Sequence, residues 1–171
     1  MPSIVIADYS PAWPAMFEEE RARILDVSGD HIDDVQHVGS TSVPGLGAKP
    51  IIDIMIGLRD LSHVEQFVQP LRQLGYGYLG EHGIPERHFF RKPDNGSWIA
   101  RTHQIHMIVM GSDFWRRHLL FRDYLRLHPE DAQRYYLLKK ELAQQFGATE
   151  NYTDAKTSFI EGIIAKAALD E

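Results

Sequence analysis

The sequence predicts an α+β fold: a mixed β-sheet flanked by helices, with a helical region at the C-terminal end. Three observations predict it. The run Ile51 to Ile56 and the alternating stretch ending near Met110 have the length and β-branched content of buried strands. Pro93-Asp94-Asn95-Gly96 carries the residues of a tight hairpin turn. Beyond Ser112, three successive segments repeat apolar residues at helical spacing with no strand between them.

Each element has a local reason. Ile4 to Ile6 reads as a short strand or an extended arm. Ser10-Pro11 opens a helix to about Val27, with Trp13, Phe17 and Ile24 inward and Glu18 to Arg23 in water. Ser28-Gly29 stops it, and Ile32 to Val38 is a strand entering a turn at Gly39. Ser62 caps a second helix with the stripe Val64, Phe67, Val68, Leu71 and Leu74, which Pro70 kinks or breaks and Gly75 ends. Tyr76 to Gly80 and Arg87 to Arg91 are short strands, and the hairpin returns along about Trp98 to Met110. Ser112 caps a third helix, Pro129 opens a fourth, and a last runs from about Thr153 to Leu169.

With 171 residues, 43% of them hydrophobic, the chain is expected to form a single domain, 1–171, with a sizeable core. A formal net charge of -6 argues against a general nucleic-acid-binding surface. The absence of cysteine excludes disulfides, thiolate catalysis and Cys-based metal sites. No apolar run approaches the length of a membrane span and the N-terminus has no signal-peptide pattern, so a cytoplasmic location is expected. Oligomeric state is not legible.

The chemistry centres on Val38 to Ile56. Gly39, Ser40, Thr41 and Ser42 offer backbone N–H groups and three hydroxyls, suited to phosphate oxygens; an ordinary serine-rich turn has the same composition. Asp53 interrupts the isoleucine run, and a carboxylate there must be solvated by hydrogen bonds, a basic group or a metal ion. Alternation puts Ile52, Ile54 and Ile56 on one face, Ile51, Asp53 and Met55 on the other. On the later strand His106 and Gln104 share a face. If His106 meets Asp53 across the sheet, the pair can share a proton or hold a divalent cation; a histidine among apolar neighbours is also an ordinary core residue. Glu81 and Arg87 lie in an irregular Gly/Pro segment, where Arg87 could clamp a phosphate or pair with Glu81 or Glu86. Lys156 could reach a cleft from the last helix or point to solvent.

The stretches HVGSTSVPGLGAKPIIDIMI, YGYLGEHGIPERHFF, THQIHMIV, LLFRDYLRLHPEDAQRYYLLKKELA and YTDAKTSFIEGII resemble the GrpB family of bacterial proteins, placed in the nucleotidyltransferase superfamily. The same domain resembles one appended to some bacterial dephospho-coenzyme A kinases. The resemblance implies a nucleotidyltransferase-like fold in which a Gly-Ser turn holds the phosphates and a nearby strand carries two acids, a third acid on a neighbouring strand completing a magnesium site. Here Gly39-Ser40 matches the turn, with twelve residues between Ser40 and Asp53, the first acid. Met55 stands at the second acid and His106 at the third.

The resemblance therefore implies Asp53 and His106 as catalytic residues, and Asp53, His106 and Glu81 as ligands of a divalent metal (magnesium, manganese or zinc). It implies Gly39, Ser40, Thr41, Ser42, Lys49, Arg87 and Lys156 as contacts to a nucleotide or phosphorylated ligand, with nucleotidyl transfer to an acceptor. A binding module without turnover, or a metal-dependent hydrolase of a phosphorylated small molecule, are the alternatives. GEHGIPERHFF has Glu86 where GIPGR-type relatives have glycine, which weakens the carry-over for Arg87.

Overall fold

A computed structural model describes residues 4–95, 100–147 and 150–171. The hairpin position Gly96 and the strand start at Trp98 lie outside the described residues. Helix α1 spans Ala12–Ser28, strand β1 Asp34–Val38 and strand β2 Ile52–Leu58. A 3-10 turn, Val64–Phe67, runs into α2, Val68–Gln73; β3 is Gly77–Tyr78, β4 His88–Lys92 and β5 His103–Val109. Helices α3 (Asp113–Leu127), α4 (Pro129–Phe146) and α5 (Glu150–Leu169) follow.

The strands form one mixed sheet in the order β1-β2-β5-β4-β3. β2 and β5 are parallel neighbours at its centre, with Asp53 opposite Gln104 and Met55 opposite His106; the other pairs are antiparallel. Alternation sorts the faces as expected. Ile52, Ile54 and Ile56 meet Trp13, Phe17 and Ile24 of α1 and Leu71 of α2. Met55, Val38 and Ile108 pack under Trp115 of α3 on the opposite face. A further apolar cluster joins Val43 and Leu46 of the loop after β1 to Leu125 of α3, Tyr135 of α4 and Ile163 of α5.

Several expectations shift. Residues 4–6 form no strand; Ala7 instead makes a single bridge to Ala48. The switch from 3-10 to α geometry falls after Phe67, leaving Pro70 in the first turn of α2, where its missing N–H costs least. Helix α5 begins a turn earlier than Thr153. Ser112 caps α3 as expected, its Oγ accepting from the Trp115 N–H at 3.4 Å.

Glu20 is a correction. Rather than facing water with its neighbours, it is fully buried. It lies three residues after Phe17 and four before Ile24, on the inward stripe, and polar groups from the sheet solvate it. Tyr76 Oη donates to Oε1 at 3.0 Å and Lys92 Nζ at 3.1 Å, while Arg23 reaches Oε2 at 3.2 Å and His103 Nε2 lies 3.8 Å away. Burial pushes this carboxyl up, but Lys92 and His103 outweigh it and hold the group below the ordinary carboxylate value.

Candidate functional site: a lysine-lined cavity beneath the serine bend

The bend after β1 is shaped by Gly39, whose φ of 74° is in the left-handed region that glycine adopts without strain. A Cβ on Gly39 would stand 2.6 Å from Asp53 Oδ2, so the bend presses directly on the acid of the neighbouring strand. Residues 40–42 form a 3-10 turn clamped from below. The Thr41 hydroxyl pairs with His37 Nε2 at 2.9 Å and donates to the Ile51 carbonyl at 3.4 Å. Ser42 Oγ donates to the Gly39 carbonyl, and Arg126 of α3 holds the Ser42 carbonyl at 3.0 Å. Of the three hydroxyls expected to face a ligand, those of Thr41 and Ser42 are thus engaged in the bend itself. Ser40 reaches the Tyr135 hydroxyl of α4.

The bend roofs a cavity of about 330 Å³. Gly39, Ser40, Thr41, Lys49, Asp53 and His106 line it, joined by Lys156 of α5. Of the other residues named from sequence, Ser42, Glu81 and Arg87 are not part of the lining. The side chain of Asp53 is 28% exposed and that of His106 13%, and His106 Nε2 lies 3.4 Å from Asp53 Oδ1.

Arg87 is buried behind this pair rather than open to a ligand or to surface acids. Its Nη2 donates to the carbonyls of Glu81 and His82, both at 3.1 Å, and Nη1 faces His106 Nδ1 at 3.2 Å. A guanidinium has only donors, so Nδ1 must accept. The network therefore assigns the imidazole proton to Nε2, directed at Asp53. Glu81 is exposed, its carboxylate accepting from the Glu86 N–H within its own loop.

Basic side chains supply the other charges of the lining among the described residues. Lys139 of α4 is 3% exposed, and its Nζ donates to the Gly47 carbonyl at 2.7 Å. Lys49 and Lys156 stand over the ring of Tyr152, 4.9 and 4.5 Å from its centroid. Burial, reinforced by Lys156, lowers Lys49 to about 7 despite Asp53. Burial likewise lowers Lys139 to about 7, with Lys156 and Lys49 adding to the effect. Lys156 is also lowered by burial. The Tyr152 hydroxyl is buried in the same wall with no hydrogen-bond partner among the described residues. Arg117 and His118 of α3 complete the polar side, and Phe121, Ile160 and Ile164 line an apolar side.

Sequence reading missed Lys139, Tyr135 and Tyr152 as site residues. A signal existed: Tyr135 and Lys139, and likewise Tyr152, Lys156, Ile160 and Ile164, recur every fourth residue. Each lysine thus falls on the inward ridge of its helix.

The donor set does not fit a magnesium site, which requires several hard oxygen ligands. Among the described residues Asp53 contributes the one lining carboxylate, Met55 at the second position is fully buried under Trp115, and His106 directs an N–H rather than a lone pair into the cavity. No group of three His, Asp or Glu side chains able to hold a metal occurs among the described residues.

This arrangement of bend, acid-bearing central strand and flanking helices has the fold of nucleotidyltransferases. Cid1 poly(U) polymerase with Mg 3′-dATP bound is similar at a TM-score of 0.57 and 17% identity, over 86% of this chain and 49% of that one. Within that class, the chain belongs to the GrpB family, whose model, described as GrpB protein, matches residues 3–166. The crystal structure of conserved protein GrpB from Enterococcus faecalis has a TM-score of 0.85 and 37% identity, covering 95% of this chain and 96% of that one. Glutamate-rich protein GrpB of Alkalihalophilus pseudofirmus is 33% identical over 94% of both chains. UPF0157 protein YqkA of Bacillus subtilis is 42% identical over 90% of this chain, which spans only 42% of that protein. Dephospho-CoA kinase of Mycolicibacterium paratuberculosis is 33% identical over 79% of this chain and 38% of its own length.

Proposed function

We propose that this protein binds a nucleotide or another phosphorylated small molecule in the cavity under the serine bend. One observation carries the reading: among the described residues, Lys49, Lys139 and Lys156 share the cavity wall with one carboxylate, Asp53; burial lowers the proton affinity of all three, and neighbouring lysines add to this for Lys49 and Lys139. A cavity wall carrying that many basic side chains suits a polyanion. Backbone amides of the bend supply neutral donors beside it. The nucleotide-bound Cid1 structures supply the analogy for ligand class.

The test is a thermal-shift screen of nucleoside mono-, di- and triphosphates, coenzyme A and simple sugar phosphates. A ligand at about 100 times its Kd adds roughly 2.7 kcal/mol of stability, which is easily read as a shift in Tm. Asp53→Asn should alter the ranking of ligands. If no phosphorylated compound shifts the melt, the reading fails.

A second reading adds turnover by nucleotidyl transfer. It is favoured by Asp53, which occupies the first-acid position after the Gly-Ser bend and touches His106. Pyrophosphate release from a nucleoside triphosphate supports it. Release of inorganic phosphate without nucleotide dependence points instead to hydrolysis.

A further inference from the structure

The metal position of the fold and the lysines of this cavity make competing demands. Where several carboxylates surround a nucleotide, a dication must neutralise both them and the phosphates. Among the described residues the lining holds one carboxylate, Asp53, beside Lys49, Lys139 and Lys156, while Arg117 is paired with Glu161 on the helix side. A dication placed beside Asp53 would add positive charge next to ammonium groups already lining the cavity.

The neighbouring side chains are closed to metal as well. Arg87, anchored by the Glu81 and His82 carbonyls, occupies His106 Nδ1; His106 Nε2–H occupies Asp53 Oδ1. Taking His106 as a ligand through Nε2 would require moving its proton to the nitrogen that faces a guanidinium. The lysines, by contrast, are already placed. The Gly47 carbonyl holds Lys139 through one N–H and leaves two more for a ligand, while the Tyr152 ring supports Lys49 and Lys156. The buried Tyr152 hydroxyl, without a hydrogen-bond partner among the described residues, adds a donor on the same side.

We infer that the cavity binds its phosphorylated ligand without a divalent cation, the ammonium groups of Lys49, Lys139 and Lys156 taking the place of the metal. The inference rests on the binding reading above and deepens it.

Calorimetric titration of the full chain with ATP, first in EDTA and then in excess magnesium or manganese, tests it. The expected result is binding in EDTA at least as tight as with either metal. Lys156→Met should weaken it about tenfold or more, the effect of removing a charge-assisted hydrogen bond. Lys49→Met, on a loop rather than a helix, gives an independent check, and a circular-dichroism melt of each variant establishes folding. Binding that appears only with magnesium or manganese overturns the inference and leaves the binding reading standing. Binding in EDTA that neither folded lysine variant weakens overturns the role given to the lysines. No ATP binding in either condition, in a protein that also fails the ligand screen, overturns both.

Discussion

Arg87 Nη1 lies 3.2 Å from His106 Nδ1, and this contact sets the direction of the hydrogen bond between His106 and Asp53. A donor-only group at one ring nitrogen leaves the other to carry the proton. Nitrogen-15 NMR of the histidines should therefore show His106 as the Nε2–H tautomer. Arg87→Met should mix the tautomers and destabilise the fold by roughly 1–3 kcal/mol, because the Glu81 and His82 carbonyls lose hydrogen bonds from a charged donor. An unchanged tautomer in the folded variant would contradict the assignment.

Glu20 ties α1 to the sheet on the face away from the cavity. Glu20→Ala leaves Lys92 and Tyr76 without their acceptor, and the expected loss is roughly 3–5 kcal/mol, the range for breaking a buried ion pair from one side. Urea unfolding measures it. Glu20→Gln, which keeps an acceptor for Tyr76, should cost less. A Glu20→Ala variant as stable as the parent would show that the network adds nothing net.

Gly39→Ala puts a methyl 2.6 Å from Asp53 Oδ2 at a backbone angle that alanine resists. The backbone strain alone, at φ 74° and ψ -177°, is about 1–3 kcal/mol. Because the bend and Asp53 can separate only by opening the roof, ligand affinity should fall more than stability does. Parallel melts and titrations separate the two effects; a variant that melts lower yet binds as the parent does would refute the close coupling of bend and acid.

Two histidines predict acid sensitivity. Burial lowers His37 to about 4, with Arg126 and Arg122 assisting against the pull of Asp53, and lowers His118 to about 4. The unfolded chain takes up these protons near the ordinary histidine value of about 6.5, before the folded protein can. Stability from both groups is complete above that value and declines as pH falls toward 4. His37→Gln, which keeps a hydrogen-bonding group toward Thr41 but does not titrate there, should flatten the stability–pH profile across that interval. A profile of unaltered slope would show that His37 is not one of its sources.

Much of this protein was legible before any coordinates. Strand alternation at residues 51–56 alone placed Asp53 on the face opposite Ile52, Ile54 and Ile56, because side chains on an extended chain have only two directions available. The Ser112 cap, the Pro129 start and the helical stripes likewise follow from interactions within a few residues. What sequence by itself determined was thus the set of elements, their inward faces, and an acid and a serine bend brought near each other by a short connection.

Tertiary structure decided the partners. Glu20 looked like one more solvated charge until Tyr76, Lys92 and His103 arrived from elements far along the chain. Arg87 looked like a ligand clamp until its loop folded behind His106. Lys139 and Lys156 sit on helices whose ridges gain meaning only when α4 and α5 pack over the bend. The physical reason is the same in each case: local sequence sets where a side chain points, but the charge it meets there depends on elements tens of residues away, and that charge decides whether the cavity calls for a cation or already holds its own.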